Sequence, residues 1–100
     1  MALKRVSDGI CAERLKVIAD PTRLKVLRQL VDGAKSVGEI NEALRLPQNL
    51  LSHHLKVLRE ADLLTAKRIG KQIHYSITRS VETDQDLETI DLGCCRVQFG

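Results

Sequence analysis

The sequence predicts a mainly α fold carrying one β-hairpin, the winged helix-turn-helix plan. Three features predict it: two short amphipathic segments joined by a tight turn, a basic hairpin directly after them, and an almost wholly aliphatic set of core candidates. Among 100 residues the aromatics are only Tyr75 and Phe99. Such a core suits packed helices better than a β-sandwich, and it disfavours a single-strand binder that stacks bases on aromatic platforms. A chain of this length predicts one compact domain over residues 1–100, with no room for a second core.

The first helix is predicted over residues 7–19, where Cys11, Leu15 and Ile18 form an i, i+4, i+7 stripe with Ile10 and Val17 beside it. Asp20-Pro21-Thr22-Arg23 then restarts the chain. Asp20 can cap a second helix, and Pro21 fits its first position, where a missing N–H costs nothing. Leu24, Leu27, Leu30 and Val31 form the inner face, and Gly33 ends it. Ser36 and Glu39 have the spacing of a capping box for a short third helix that buries Ile40, Ala43 and Leu44. After Arg45 and Leu46, Pro47 starts a further helix that runs to about Ala61.

Strands follow over residues 63–69 and 72–78. Ile73, Tyr75 and Ile77 alternate with Gln72, His74 and Ser76, and Gly70-Lys71 supplies the tight turn. Residues 83–92 are read as a last helix with Leu87 and Ile90 on its apolar side. Two or three turns cannot stand alone, so this helix requires a covering surface, and a homodimer is expected.

Charge is distributed unevenly. The formal net charge is +3, made of about +2 over residues 1–44, +4 over 45–75 and −3 over 76–100. A basic centre followed by an acidic end implies a polyanion partner met by the middle of the chain. No wholly apolar run exceeds four residues, so no membrane partner is expected. The opening Met1-Ala2-Leu3-Lys4-Arg5 lacks the apolar stretch of a secretory signal, which predicts a cytoplasmic protein. Three cysteines in such a chain do not read as a disulfide framework.

Residues on the helix after Pro47 separate into two arcs when placed about 100° apart. Gln48, Asn49, Ser52, His53 and Lys56 share one; Leu50, Leu51, Leu55, Val57 and Leu58 share the other. Side chains that hydrogen-bond base edges and phosphates, concentrated in the first turns, are what a recognition helix carries into the major groove. A lone helix with this pattern would read as an ordinary solvated face; the preceding helix and the basic hairpin favour double-stranded DNA. His53 lies with the polar arc and His54 projects into the apolar one, so His54 is expected to pack or to lie in an interface and His53 to face DNA. The pair is no zinc site, because neighbouring helix residues diverge and no further ligands stand near. Arg68 and Lys71 on the hairpin would reach phosphates or the minor groove, with His74 either helping or merely solvated.

Four motifs in register carry a family resemblance: residues 19–24 (Ala-Asp-Pro-Thr-Arg-Leu), 36–40 (Ser-Val-Gly-Glu-Ile), 52–61 (Ser-His-His-Leu-Lys-Val-Leu-Arg-Glu-Ala) and 68–75 (Arg-Ile-Gly-Lys-Gln-Ile-His-Tyr). Over roughly residues 12–78 the chain resembles the ArsR/SmtB family of winged-helix homodimeric repressors. The resemblance implies release of operator DNA when a metal, metalloid or oxidant binds, and a dimer built from the first and last helices. It also implies DNA contacts from Gln48, Asn49, Ser52 and His53. Asp62 stands where the family usually has glycine.

The family's familiar sensor positions are empty. The helix holding Val37 to Asn41 has no cysteine, and residues 83–92 offer Asp84, Asp86, Glu88 and Asp91 but no histidine. What remains is Cys94-Cys95 after Gly93, with Cys11 on the first helix. Some arsenic-sensing members are similar in carrying a vicinal pair at this end. Adjacent thiolates form a soft chelate, and a third would complete a three-sulfur site for As(III) or Sb(III) as inducer. Cys11 is either that third ligand or a small core residue on the apolar stripe. The alternatives are a thiol redox-sensing repressor and a DNA-binding module without ligand control. The redox reading is disfavoured by an acidic segment and an expected helix C-terminus beside the pair, both unfavourable to thiolate. No nucleophile with a matching base appears, so no enzymatic activity or catalytic cofactor is expected.

Overall fold

The computed structural model describes residues 6–99. Residues 1–5, read above for a signal, and Gly100 lie outside the described residues. Elements run in the order α1 (Asp8–Ile18), α2 (Pro21–Leu30), β1 (Lys35–Ser36), α3 (Val37–Leu44), α4 (Gln48–Glu60), β2 (Leu64–Ile69) and β3 (Gln72–Ile77). Three short strands follow: β4 (Glu82–Asp84), β5 (Thr89–Asp91) and β6 (Arg96–Gln98).

Local chemistry sets the helix starts where the sequence placed them. The Ser7 side chain accepts from the Ile10 amide at α1, and Asp20 Oδ1 accepts from the Thr22 and Arg23 amides at 2.9 and 3.0 Å, with Pro21 opening α2. Ser36 and Glu39 form the capping box of α3, each side chain meeting the other's backbone N–H. Val26, Leu27 and Leu30 of α2, Ile40 of α3 and Leu51, Leu55 and Leu58 of α4 meet in one aliphatic core. Each such burial removes side-chain surface from water at a gain of roughly 1.5–3 kcal/mol. The α1 face differs from the expected stripe. Leu15 is 42% exposed and Ile10 50% exposed, while Arg14 takes the buried place beside Cys11, Val17 and Ile18.

The winged-helix plan holds. β2 and β3 pair antiparallel from Leu64↔Ile77 to Ile69↔Gln72, with Gly70 at φ +61° in the turn, and β1 adds to the free edge of β3. Asp62, at the joint between α4 and β2, has φ +58°. This left-handed conformation suits glycine, which explains the usual residue at this position; the Leu63 amide still closes onto Leu58 O at 3.0 Å.

The predicted last helix over residues 83–92 is not formed. β4, β5 and β6 make a separate three-stranded antiparallel sheet, with Thr83↔Ile90 and Ile90↔Val97 in register. Two causes are visible. Asp84 Oδ1 accepts from the Asp86 and Leu87 amides, an Asx turn that competes with helix, and Glu88 sits at φ +50°. The apolar residues also alternate as strands require: Ile90 and Leu92 are buried, whereas Leu87 is 56% exposed at the turn. Among the described residues no helix follows β3, and Ile90 finds its cover within the chain.

Asp20 gives the fold a pH-dependent contribution. Its carboxyl is held below the ordinary aspartate range first by the Arg23 amide, against the opposing effect of burial, and further by the charge of Arg23, the Thr22 amide and the charge of His54. A depressed pKa stabilises the fold above the unfolded value, and the contribution fades as pH falls through the folded one. Asp20→Ala should cost about 1 kcal/mol at neutral pH by denaturant unfolding. The gap should close below about pH 4, as the carboxyl protonates.

Candidate functional site

Two sites emerge, one on α4 and the hairpin, the other where α1 meets the second sheet. The turn before α4 is fixed by one side chain that sequence reasoning missed. Asn41 Nδ2 donates to the Leu46 carbonyl at 2.9 Å and its Oδ1 accepts from the Leu46 amide at 2.8 Å. Arg45 at φ +53° closes α3 with its amide on Asn41 O, and Pro47 opens α4 immediately afterwards. An asparagine four residues before a left-handed cap is a legible sign of a clamped turn, once the turn itself is suspected.

Because Leu51, His54, Leu55 and Leu58 are buried, the rest of α4 is forced outward: Gln48, Asn49, Ser52, His53 and Lys56 are all exposed. His54 packs and His53 faces solvent, as their arcs predict. Gln48 and Ser52 share a cleft with Lys71 and Gln72 of the hairpin, so the helix and wing present one continuous surface. Arg68 is exposed on the same hairpin, its Nε donating to Gly70 O at 3.3 Å. Lys56 Nζ lies 3.8 Å from Glu60 Oε1, one turn along α4. His74 is only half-exposed at the centre of β3.

The second site is built on the turn between β5 and β6. The Leu92 amide donates to Cys95 O at 2.9 Å, closing the turn, and the Gly93 amide donates to Asp91 Oδ1 at 2.8 Å. Gly93 has φ +90°, and a Cβ there would lie 3.0 Å from Val6, so geometry and space both require glycine. Cys94 and Cys95 are held at the exposed end of this turn, opposite Cys11 on α1. The three sulfurs lie within 4.8 Å of one another, with the Cys94 and Cys95 Sγ atoms 3.8 Å apart. Cys11 and Cys94 are joined as a disulfide, with Cα atoms 6.2 Å apart, and Cys95 is a free, exposed thiol.

This corrects two expectations: the cysteines do form one intrachain bridge, and the vicinal pair follows no helix C-terminus. The acidic groups near the pair are also occupied. Asp91 Oδ2 takes Arg96 Nε at 3.3 Å, Asp84 is used in its own turn, and Glu88 pairs with Arg28 at 3.6 Å. Arg14, which sequence reasoning missed, donates from Nη1 to Leu92 O at 2.9 Å and ties α1 to the thiol turn. No sequence signal marks it, because an arginine on an amphipathic helix reads as solvent-facing.

A helix-turn-helix domain model matches residues 18–66. The transcriptional repressor SdpR of Bacillus subtilis is 38% identical over 69 residues, 69% of this chain and 77% of SdpR. This chain belongs to the ArsR/SmtB family of winged-helix transcriptional repressors. The repressor SmtB of Mycobacterium tuberculosis is 37% identical over 65% of this chain, and the chain spans about half (48%) of that relative's length. Reduced HlyU from Vibrio cholerae superposes with a TM-score of 0.68 at 33% identity, covering 70% of this chain and 74% of HlyU. Members of the ArsR/SmtB family are DNA-binding regulators, not enzymes. The domain match includes Gln48 to Lys56 and excludes all three cysteines, so the helix-turn-helix is shared while the thiol turn is argued from this chain alone. No helix among the described residues is long and apolar enough to cross a membrane.

The thiol arrangement has a direct readout. Iodoacetamide should label Cys95 alone in the unreduced protein and all three cysteines after reduction and unfolding, as read by peptide mass spectrometry. Labelling of Cys11 or Cys94 without reductant would show that the bridge is not formed.

Proposed function

We propose that the chain is a homodimeric, operator-binding repressor that loses DNA affinity when trivalent arsenic or antimony is held by Cys11, Cys94 and Cys95. The observation that carries this reading is the convergence of three sulfurs within 4.8 Å of one another from two distant parts of the chain. Three thiolates are soft donors suited to a thiophilic ion and poorly suited to hard cations. When bound, the metalloid would supply a bond from α1 to the β5–β6 turn. Binding needs all three sulfurs as thiolates, so the Cys11–Cys94 bridge must first be reduced. Exposed Ile10 and Leu15 on α1 support pairing with a second copy through that helix. The protein would act in the cytoplasm, on double-stranded operator DNA.

The residues proposed to meet DNA are Gln48, Asn49, Ser52, His53 and Lys56 in the major groove, with Arg68 and Lys71 on the wing. Their exposure on one surface supports this assignment. Substituting Ser52 or His53 with alanine should reduce preference for the operator by about 1–3 kcal/mol. Arg68→Ala or Lys71→Ala should weaken binding to every sequence and flatten its salt dependence. Equal losses on operator and random DNA for the α4 variants would refute their assignment.

A second reading is favoured by the disulfide itself: oxidation closing Cys11 onto Cys94 would cross-link the same two elements. Titration of operator-bound protein separates the two. Arsenite should weaken operator affinity roughly 5–150-fold, as a coupling of about 1–3 kcal/mol does, without oxidant. Cys94→Ser with Cys95→Ser should bind operator as the parent does and ignore arsenite. Cys11→Ser should lose the response if it is a ligand and keep it otherwise. Release by peroxide alone would establish the redox reading, and release by neither would make this a DNA-binding module without ligand control.

A further inference from the structure

We infer that Arg14 passes the state of the sulfur turn to the recognition helix by competing with Lys56 for Glu60. This rests on the proposed sensor reading and adds the route by which it acts. Arg14 is 4% exposed, yet among the described residues its guanidinium makes a single hydrogen bond, to the Leu92 carbonyl, and Nε is buried without a partner. No carboxylate among the described residues lies within 4.0 Å of it. A buried cation served this sparingly is costly, and it will take a carboxylate when one can be reached. Three line the same cleft as Arg14: Glu13 directly before it on α1, and Glu60 and Asp62 at the joint between α4 and β2; of these Glu60 is the one that also pairs with Lys56 of α4.

Arg14 therefore has two alternative partners, the Leu92 carbonyl at the sulfur turn and Glu60 at the end of α4. With Cys11 linked to the turn, the Leu92 carbonyl is held against α1 and keeps the guanidinium. Glu60 is then left to Lys56, at 3.8 Å on the DNA-facing side of α4. With the sulfurs unlinked, the Leu92–Gly93 peptide is free to turn its carbonyl away while the Leu92 side chain stays in the core, and Arg14 turns to Glu60. Lys56 is then released towards a phosphate. The direction agrees with the proposed function, since linking the sulfurs costs operator affinity. Two discrete arrangements of one side chain, each favoured by a different site, are the physical requirement for coupling.

The test uses full-length protein reduced and ligand-free, reduced with arsenite, and disulfide-closed, with operator affinity measured in each state. Arg14→Met removes the competitor, so its ligand-free affinity should fall by about two- to fivefold towards the released level, the worth of one exposed ion pair per contact. Glu60→Gln frees Lys56 in every state and should raise the linked-state affinity by a similar factor. The combination of Arg14→Met with Glu60→Gln should restore the ligand-free parent affinity, an outcome that a merely structural role for Arg14 would not produce. Arg14→Lys, which retains the charge, should keep most of the response and serves if the methionine variant folds poorly. Failure of Glu60→Gln to suppress Arg14→Met, in a parent that does respond to arsenite or disulfide closure, overturns this inference alone. A parent whose operator affinity is equal in all three states overturns the sensor reading and this inference with it.

Discussion

Burial of one face of α4 is the constraint on which the rest of the molecule depends. Leu51, Leu55 and Leu58 are removed from water against α2 and the strands, and a helix with three leucines locked at that spacing has no rotational freedom left. The outward direction of Gln48, Ser52, His53 and Lys56 follows without any further interaction. The Asn41 clamp then sets the angle at which α4 leaves α3, and the Leu63 and Leu64 anchors set where the hairpin rises beside it. The side chains proposed to read bases thus sit on a rigid element whose orientation is fixed from the opposite side.

Most of this was legible because its causes are local. Ser7, Asp20-Pro21, Ser36 with Glu39, and Gly70 each act on backbone groups within three or four residues, so the sequence carries the signal directly. The second sheet was misread because Leu87 and Ile90 are three residues apart, a spacing shared by a short helix and by chance. The competing signal was present: Ile90 and Leu92 alternate, Val97 and Phe99 alternate, and Gly93 punctuates them. Periodicity over so few residues cannot choose between helix and strand. The core takes Ile90 and Leu92, an alternating pair, and leaves Leu87 exposed.

Arg14 was illegible for a different reason. An arginine on a predicted amphipathic helix reads as solvent-facing, and the residue displaced from the buried stripe was Leu15, which propensity would have placed inside. Only the arrival of the Leu92 carbonyl, 78 residues away in sequence, makes a buried guanidinium tolerable there. The cysteines were found by type and position, whereas their convergence depends on how the chain returns to α1.

Replacing the last helix with strands changes what the vicinal pair can do. A helix over residues 83–92 would have left Cys94 and Cys95 beyond its C-terminus, without strand pairing to hold them. At the end of the tight turn between β5 and β6 they are held. Gly93 takes a left-handed conformation and packs against Val6, and the turn closes between Leu92 and Cys95. Both sulfurs then reach the same point on α1. The segment expected to carry a partner's surface as a helix is instead the element that brings the thiols together. That arrangement places α1 beside both the sulfur turn and the end of α4, the contact through which the proposed coupling would run.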